Sequence, residues 1–170
     1  MGSNGTPRGT ITMMELEILV DDPRREDVRA VLATHLAFAR GATPAQYSFA
    51  LDVDELLEPT VTFFSARRAG HVLGVAALKR LDESLAELKS MHTLEADRQR
   101  GIGRAMVAHL LVFAERHGYR QVSLETGSTE EFAPARSLYV RCGFEPCEPF
   151  GGYVASPYNT FMTIHLDAEG

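Results

Sequence analysis

Apolar positions along this chain recur with two periods. From Ile102 to Ala114 they fall three and four apart, at Ile102, Met106, Leu110, Phe113 and Ala114, with Val107 and Leu111 alongside. That spacing sets one stripe of a helix against a core. His117-Gly118 ends the stripe, with Gly118 suited to a left-handed cap. A second stripe, Val28, Val31, Leu32, His35 and Leu36, follows Asp21-Asp22-Pro23, an acidic cap with proline near the first turn. Gly41-Ala42-Thr43-Pro44 interrupts it, and Thr43-Pro44 caps a second short helix that reaches about Leu57.

The other period is that of strands. Leu16 to Val20 is a short one, and Thr60–Arg67 and His71–Leu81 form a hairpin across Ala69-Gly70. Leu81-Asp82-Glu83-Ser84 turns the chain into a strand ending near Thr93, and Gln121 to Thr126 alternates at Val122 and Leu124. Pro134 and Gly143 bracket another helix. Gly143–Phe150 and Asn159–Leu166 then complete the sheet, separated by a long 151–158 loop of the kind that carries specificity. Three antiparallel strands followed by helix, strand and helix predict an α/β (α+β) fold, a mixed sheet with helices on both faces.

Composition narrows the class. A chain of 170 residues, 45% apolar and 24% charged, is ordinary for one soluble domain, assigned to 13–170. Residues 1–12 carry no periodicity and read as a disordered tail or cloning remnant; Met1-Gly2-Ser3-Asn4-Gly5-Thr6 also fits an N-myristoylation pattern. A net charge of −6 argues against nonspecific nucleic-acid binding. Two cysteines, Cys142 and Cys147, make neither a disulfide framework nor a zinc set and suit a reducing, cytoplasmic setting. No apolar run approaches the ~20 residues of a membrane span.

The chemistry gathers where the central strand meets the long helix, at Arg98-Gln99-Arg100-Gly101-Ile102-Gly103-Arg104. The opening amides of a helix lack internal partners, and the dipole there favours an anion. Glycines 101 and 103 clear the approach for a phosphate, and Arg98, Arg100 and Arg104 add charge. A solvated basic helix start that binds nothing would carry the same letters. A dinucleotide fingerprint is the rival, since Gly101-x-Gly103 has Glu125 about twenty residues on. Met106 stands where its third glycine belongs, and the chain lacks room for a second mononucleotide half.

Arg98-Gln99-Arg100-Gly101-Ile102-Gly103 resembles the pyrophosphate-binding loop of the GNAT superfamily of acetyl-CoA-dependent N-acetyltransferases. Ala135-Arg136-Ser137-Leu138-Tyr139-Val140-Arg141-Cys142-Gly143-Phe144 is similar to that family's fourth helix. The likeness runs from about Glu15 to Leu166. It implies a sheet of six or seven strands, mostly antiparallel, in which two strands splay apart to hold acetyl-CoA. The cosubstrate would lie against Met91, His92, Thr93, Arg98, Gln99, Arg100, Gly101, Ile102, Gly103, Arg104, Phe132 and Ala135. A bulge around Ser90-Met91 would open the strand, and the amides of Met91 and Thr93 would pair with the pantetheine arm.

By the same resemblance Tyr139 is the acid for the leaving thiolate and Glu87 the general base, acting directly on a primary amine in a ternary complex. Phe132 replaces an asparagine that the family often carries, leaving van der Waals contact with the arm as its role. The early helices, at His35, Phe38, Gln46, Tyr47 and Phe49, would wall the acceptor. The resemblance implies no metal and no membrane or nucleic-acid partner, and leaves the assembly open between monomer and homodimer. Alternatives within the fold are a protein-lysine or other acyl acceptor reaction, or a CoA-binding sensor.

Overall fold

The computed structural model describes residues 15–94, 98 and 100–167; Gln99 and residues 1–12, named above, lie outside them. In chain order it shows β1 (Glu17–Val20), α1 (Glu26–Ala42), a 3-10 turn (Ala45–Tyr47), α2 (Val53–Leu56), β2 (Val61–Arg68), β3 (His71–Arg80) and β4 (Leu85–Thr93). Then follow α3 (Ile102–Arg116), β5 (Gln121–Gly127), a 3-10 turn (Glu130–Phe132), α4 (Ala133–Arg141), β6 (Glu145–Pro146) and β7 (Asn159–His165). The strands form one seven-stranded sheet, β1-β2-β3-β4-β5-β7-β6, in which β4 and β5 are the parallel pair and the other neighbours run antiparallel.

Both faces of the sheet are buried, because alternate residues of each central strand point to opposite sides. Phe64, Ala76, Leu78, Leu88, Val122 and Leu124 pack with Ile102, Met106, Val107 and Leu110 of α3 and with Tyr139 of α4. Phe63, Val75 and Ala77 pack instead with Val28, Val31 and Leu32 of α1. The apolar stripes read from the sequence are thus the ones that cover the sheet. Among the described residues no helix is long and apolar enough to cross a membrane.

Three expectations about elements are corrected. Asp21 and Asp22 do not cap α1, which starts at Glu26 behind Arg25 with no side-chain cap. Buried Arg67 claims Asp21 instead: its guanidinium lies 2.8 Å from the Asp21 carboxylate and 2.7 Å from Asp27, and the Ser65 hydroxyl donates to Asp21 at 2.5 Å. The second helix is divided, because Asp52 and Glu55 make a reciprocal capping box that starts α2 separately. The strand expected over 143–150 shrinks to Glu145–Pro146 on the sheet edge; Pro146 and Pro149 bring no amide to a ladder.

One irregularity positions the site. Val75 of β3 pairs with His92, and Ala77 with Lys89, so Ser90 and Met91 together oppose Ala76. Ser90 takes φ 56° in this bulge, a left-handed value uncommon for a serine. The parallel ladder between β4 and β5 covers only Leu85–Leu88 against Gln121–Leu124. Beyond it the two strands diverge, while β5 stays paired with β7 through Gly127 and Asn159.

Candidate active site

The gap between β4 and β5 opens into a cavity of about 790 Å³. The start of α3 and the inner side of α4 form one wall, and α1 with residues 47–50 forms the other. Met91, His92, Thr93, Arg98, Gly101, Ile102, Gly103, Arg104, Phe132, Ala135, Tyr139 and Glu87 all line it, as do His35, Phe38, Tyr47 and Phe49. Arg100 and Gln46 are exposed and lie outside that lining.

At the α3 end the backbone is left open. Gly101 caps the helix with φ 78° and ψ 7°, a conformation that costs an L side chain about 1–2 kcal/mol. The first return bond runs from the Ala105 amide to the Gly101 carbonyl at 3.0 Å, so the amides of Ile102, Gly103 and Arg104 precede the helical ladder. Gly103 has a second reason to be glycine: a Cβ there would stand 2.9 Å from Leu138 Cδ2 of α4. That glycine therefore serves the α3–α4 contact as well as access to the amides. Arg98 is exposed, donates to the Thr93 carbonyl at 3.2 Å, and with Arg104 and Arg141 makes this rim positive.

Tyr139 stands on the inner side of α4, its ring edge-on to Phe144 at 5.8 Å. Burial, with lesser contributions from Cys142 and Glu125, pushes its hydroxyl pKa up, so it keeps its proton at neutral pH. Phe132 packs against the backbone of Gly127, where a Cβ would meet its ring, and meets Phe38 edge-on at 5.2 Å across the cavity. Arg136 fastens the start of α4 to this corner through the carbonyls of Gly127 and Thr129, both at 2.8 Å.

The opposite end is a polar network of which sequence reasoning named Glu87, His35 and His92 and missed Lys89, Tyr153, Asn159 and the part played by Glu125. Glu87 is buried, and its Oε2 accepts from the Tyr153 hydroxyl at 2.5 Å and from Lys89 Nζ at 3.3 Å. Lys89 also donates to Tyr153 at 2.7 Å. Burial, then the charge and hydrogen bond of Glu87, push the Tyr153 pKa up. Glu125 Oε1 accepts from Asn159 Nδ2 at 2.6 Å; burial raises the Glu125 pKa further than Asn159 and Lys89 lower it, and Glu87 adds to the rise. His35 and His92 meet with their Nδ1 atoms 3.3 Å apart, and His92 Nε2 is buried without a partner among the described residues. Burial brings both rings down to about 4, helped by the mutual charge at His35 and by Arg98 at His92.

A readable signal for this network was present. Glu87-x-Lys89 and Ser123-x-Glu125 are polar residues alternating with the apolar Ala86, Leu88, Val122 and Leu124, and β4 and β5 pair Glu87 with Ser123. Residues of one parity share a face.

A sequence model of the "Acetyltransferase (GNAT) family" matches residues 28–144. The chain belongs to the GNAT family. It is 37% identical over 151 residues to the uncharacterized N-acetyltransferase YsnE of Bacillus subtilis (strain 168), covering 89% of this chain and all of that one. The uncharacterized N-acetyltransferase YedL of Escherichia coli (strain K12) is also 37% identical, over 149 residues, 88% of this chain and 94% of YedL. These relatives make the chain an acyl-CoA N-acyltransferase.

The fold agrees. A putative acyl-CoA N-acyltransferase from Klebsiella pneumoniae superposes with a TM-score of 0.73 at 24% identity, over 89% of this chain and 98% of that one. A Bacillus subtilis acetyltransferase solved with CoA gives 0.68 at 19%, over 89% and 99%. A GNAT acetyltransferase from Elizabethkingia anophelis solved with acetyl-CoA gives 0.67 at 16%, over 89% and 98%.

Proposed function

We propose that this GNAT protein moves the acetyl group of acetyl-CoA to a primary amine of a small molecule, by direct attack with both substrates bound. One observation carries the reading. A single cavity joins the open amides of α3 to a buried carboxylate network through the gap where β4 and β5 diverge. The residues fit coenzyme A: three amides that precede the helical ladder and take no partner among the described residues, with the exposed Arg98 and Arg104, suit its diphosphate. The unpaired edge of β4 beyond Leu88 suits the amides of its arm. Two solved relatives of the same fold carry CoA or acetyl-CoA. Enclosure by α1 and residues 47–50 favours a small acceptor over a lysine on a protein surface.

Acetyl-CoA supplies the activated acyl thioester. The chain's own residues handle the protons. A lysine-like amine costs about 4–5 kcal/mol to deprotonate at pH 7, from a pKa near ~10.4. Two carboxylates stand at the acceptor end, Glu87 and Glu125, and one of them takes that proton. Tyr139, held protonated by burial, gives its proton to the departing sulfur.

Calorimetry with coenzyme A and release of the free thiol across an amine panel test the reading. Tyr139→Phe should lower kcat at least tenfold and leave the CoA Kd within twofold. Equal kcat would remove Tyr139 from the chemistry, and no heat with millimolar CoA would end the assignment of the cavity.

A further inference from the structure

Of the charged side chains lining the cavity, Arg98, Arg104, Glu131 and Arg141 are exposed at its rim, while Glu87, Lys89 and Glu125 stand inside. These three do not balance. Lys89 is held by Glu87 at 3.3 Å and by Tyr153 at 2.7 Å, so its charge answers that of Glu87. Glu125 has only a neutral amide on Oε1, and its Oε2 takes no hydrogen bond among the described residues. Two carboxylates facing one ammonium leave one without a salt bridge among the described residues, and that one is Glu125.

The same amide fixes what lies beside that carboxylate. Asn159 Nδ2 donates to Glu125 at 2.6 Å and to the Tyr47 carbonyl at 3.1 Å, which ties the 47–50 segment to Glu125. That segment brings Tyr47, stacked on Tyr158 at 5.1 Å, and Phe49, edge-on to Tyr153 at 5.0 Å. Phe38 of α1 completes an aromatic wall. An ammonium beside one carboxylate, with an apolar ring against aromatic edges, satisfies both halves of this subsite.

Resting on the acetyl-transfer reading above, we propose that Glu125 receives the acceptor's ammonium and takes its proton, and that the acceptor is an arylalkyl monoamine. Glu87 is then a positioning residue that holds Lys89 and Tyr153. Of the two protons the nitrogen loses, the first passes to Glu125 and on to solvent. The second replaces the one Tyr139 gives to sulfur, while the nitrogen lone pair forms the C–N bond and the C–S bond breaks. An amino acid fits poorly, because among the described residues the inner end offers no unpaired cation to its carboxylate. A polyamine fits poorly too, because its further charges would be buried with no second carboxylate left to pair them, Glu87 being held by Lys89.

The test uses 2-phenylethylamine, phenylalanine and spermidine on one preparation, read by calorimetric binding with CoA present and by thiol release from acetyl-CoA. Phenylethylamine should exceed each of the others at least thirtyfold in kcat/KM. Glu125→Gln should weaken phenylethylamine binding at least tenfold, with the melting temperature kept and the CoA Kd within twofold. Preference for phenylalanine or spermidine, turnover of none of the three, or unchanged phenylethylamine binding in Glu125→Gln would overturn this inference while CoA binding still stood. Absent CoA binding would overturn it together with the transfer reading. The ranking of the three amines needs no variant and stands even if Glu125→Gln fails to fold.

Discussion

Mild acid should loosen this protein through two rings. His35 and His92 face each other with Nδ1 atoms 3.3 Å apart, and His92 is only 6% exposed. Protonating either ring places a charge where burial strips it of most of its water, and protonating both sets two like charges in contact. Both are therefore held down from 6.5 to about 4 in the folded chain, by burial first and by neighbouring positive charge second. The unfolded chain binds protons below 6.5 and the folded chain only near 4, so stability is full above pH 7 and falls across the window between them. At pH 5.5 each ring removes about 1.4 kcal/mol, roughly 3 kcal/mol for the pair.

Other groups leave this window clear. Asp21, Asp22 and Asp27 have lowered pKa values, so their stabilisation is lost only at more acid pH. Glu125, raised, works in the opposite sense and trims the loss. The remaining histidines, His71, His109, His117 and His165, are exposed. Urea unfolding at pH 7.5, 6.5 and 5.5 measures the effect, with the m-value checked for constancy. Wild type should lose about 3 kcal/mol from pH 7.5 to 5.5, and His92→Gln about half as much. Equal losses in the two proteins would refute the assignment of the slope to this pair.

Two substitutions test the scaffold of the site. Gly101→Ala should cost about 1–2 kcal/mol, because φ is 78° while no atom of the described residues lies within 4 Å of the added methyl. Any relaxation of that turn misaims the α3 amides, so CoA calorimetry should show weaker binding alongside a lower melting temperature; an unchanged Kd would separate the turn from the diphosphate. Arg67→Ala should cost about 3–5 kcal/mol by taking from the Asp21 side chain, 3% exposed, its buried ionic partner and leaving only exposed Arg25 at 3.5 Å. Urea denaturation measures it, and a loss under about 1 kcal/mol would mean that water replaces the guanidinium.

Much of this was legible from residue order. The long stripe from Ile102 to Ala114, the hairpin at Ala69-Gly70 and the αL cap at Gly118 depend on local pattern, and the structure forms each of them; the bulge at Ser90-Met91, which it also forms, was expected only from the family resemblance. Most of what failed depends on long-range partners. Asp21 reads as a cap until Arg67, distant in sequence and buried, claims it. Residues 143–150 read as a strand although two prolines deprive them of a ladder. Glu87 stood out through its place in a family pattern, whereas Glu125, Lys89, Tyr153 and Asn159 come together only through the pairing of β4 with β5 and β5 with β7. Alternate spacing puts Glu87 with Lys89 and Ser123 with Glu125 on one face of each strand, but which strands then meet is set by the sheet order.

The bulge does more than separate β4 from β5. On a regular strand Glu87, Lys89, Met91 and Thr93 would share a face, because alternate side chains point the same way. One extra residue at Ser90-Met91 reverses the parity downstream. Lys89 and His92, not Lys89 and Met91, then lie on the α1 side, opposite Ala77 and Val75, and His92 reaches His35. Met91 and Thr93 turn to the α3 side, where Met91 Cε comes within 3.6 Å and Thr93 Oγ1 within 3.7 Å of a Cβ placed on Gly103. A single strand thus supplies polar side chains to the acceptor end and lining for the α3 end of one cavity. The left-handed φ of Ser90, a strain of about 1–3 kcal/mol, is what makes that division of one strand between two ends achievable.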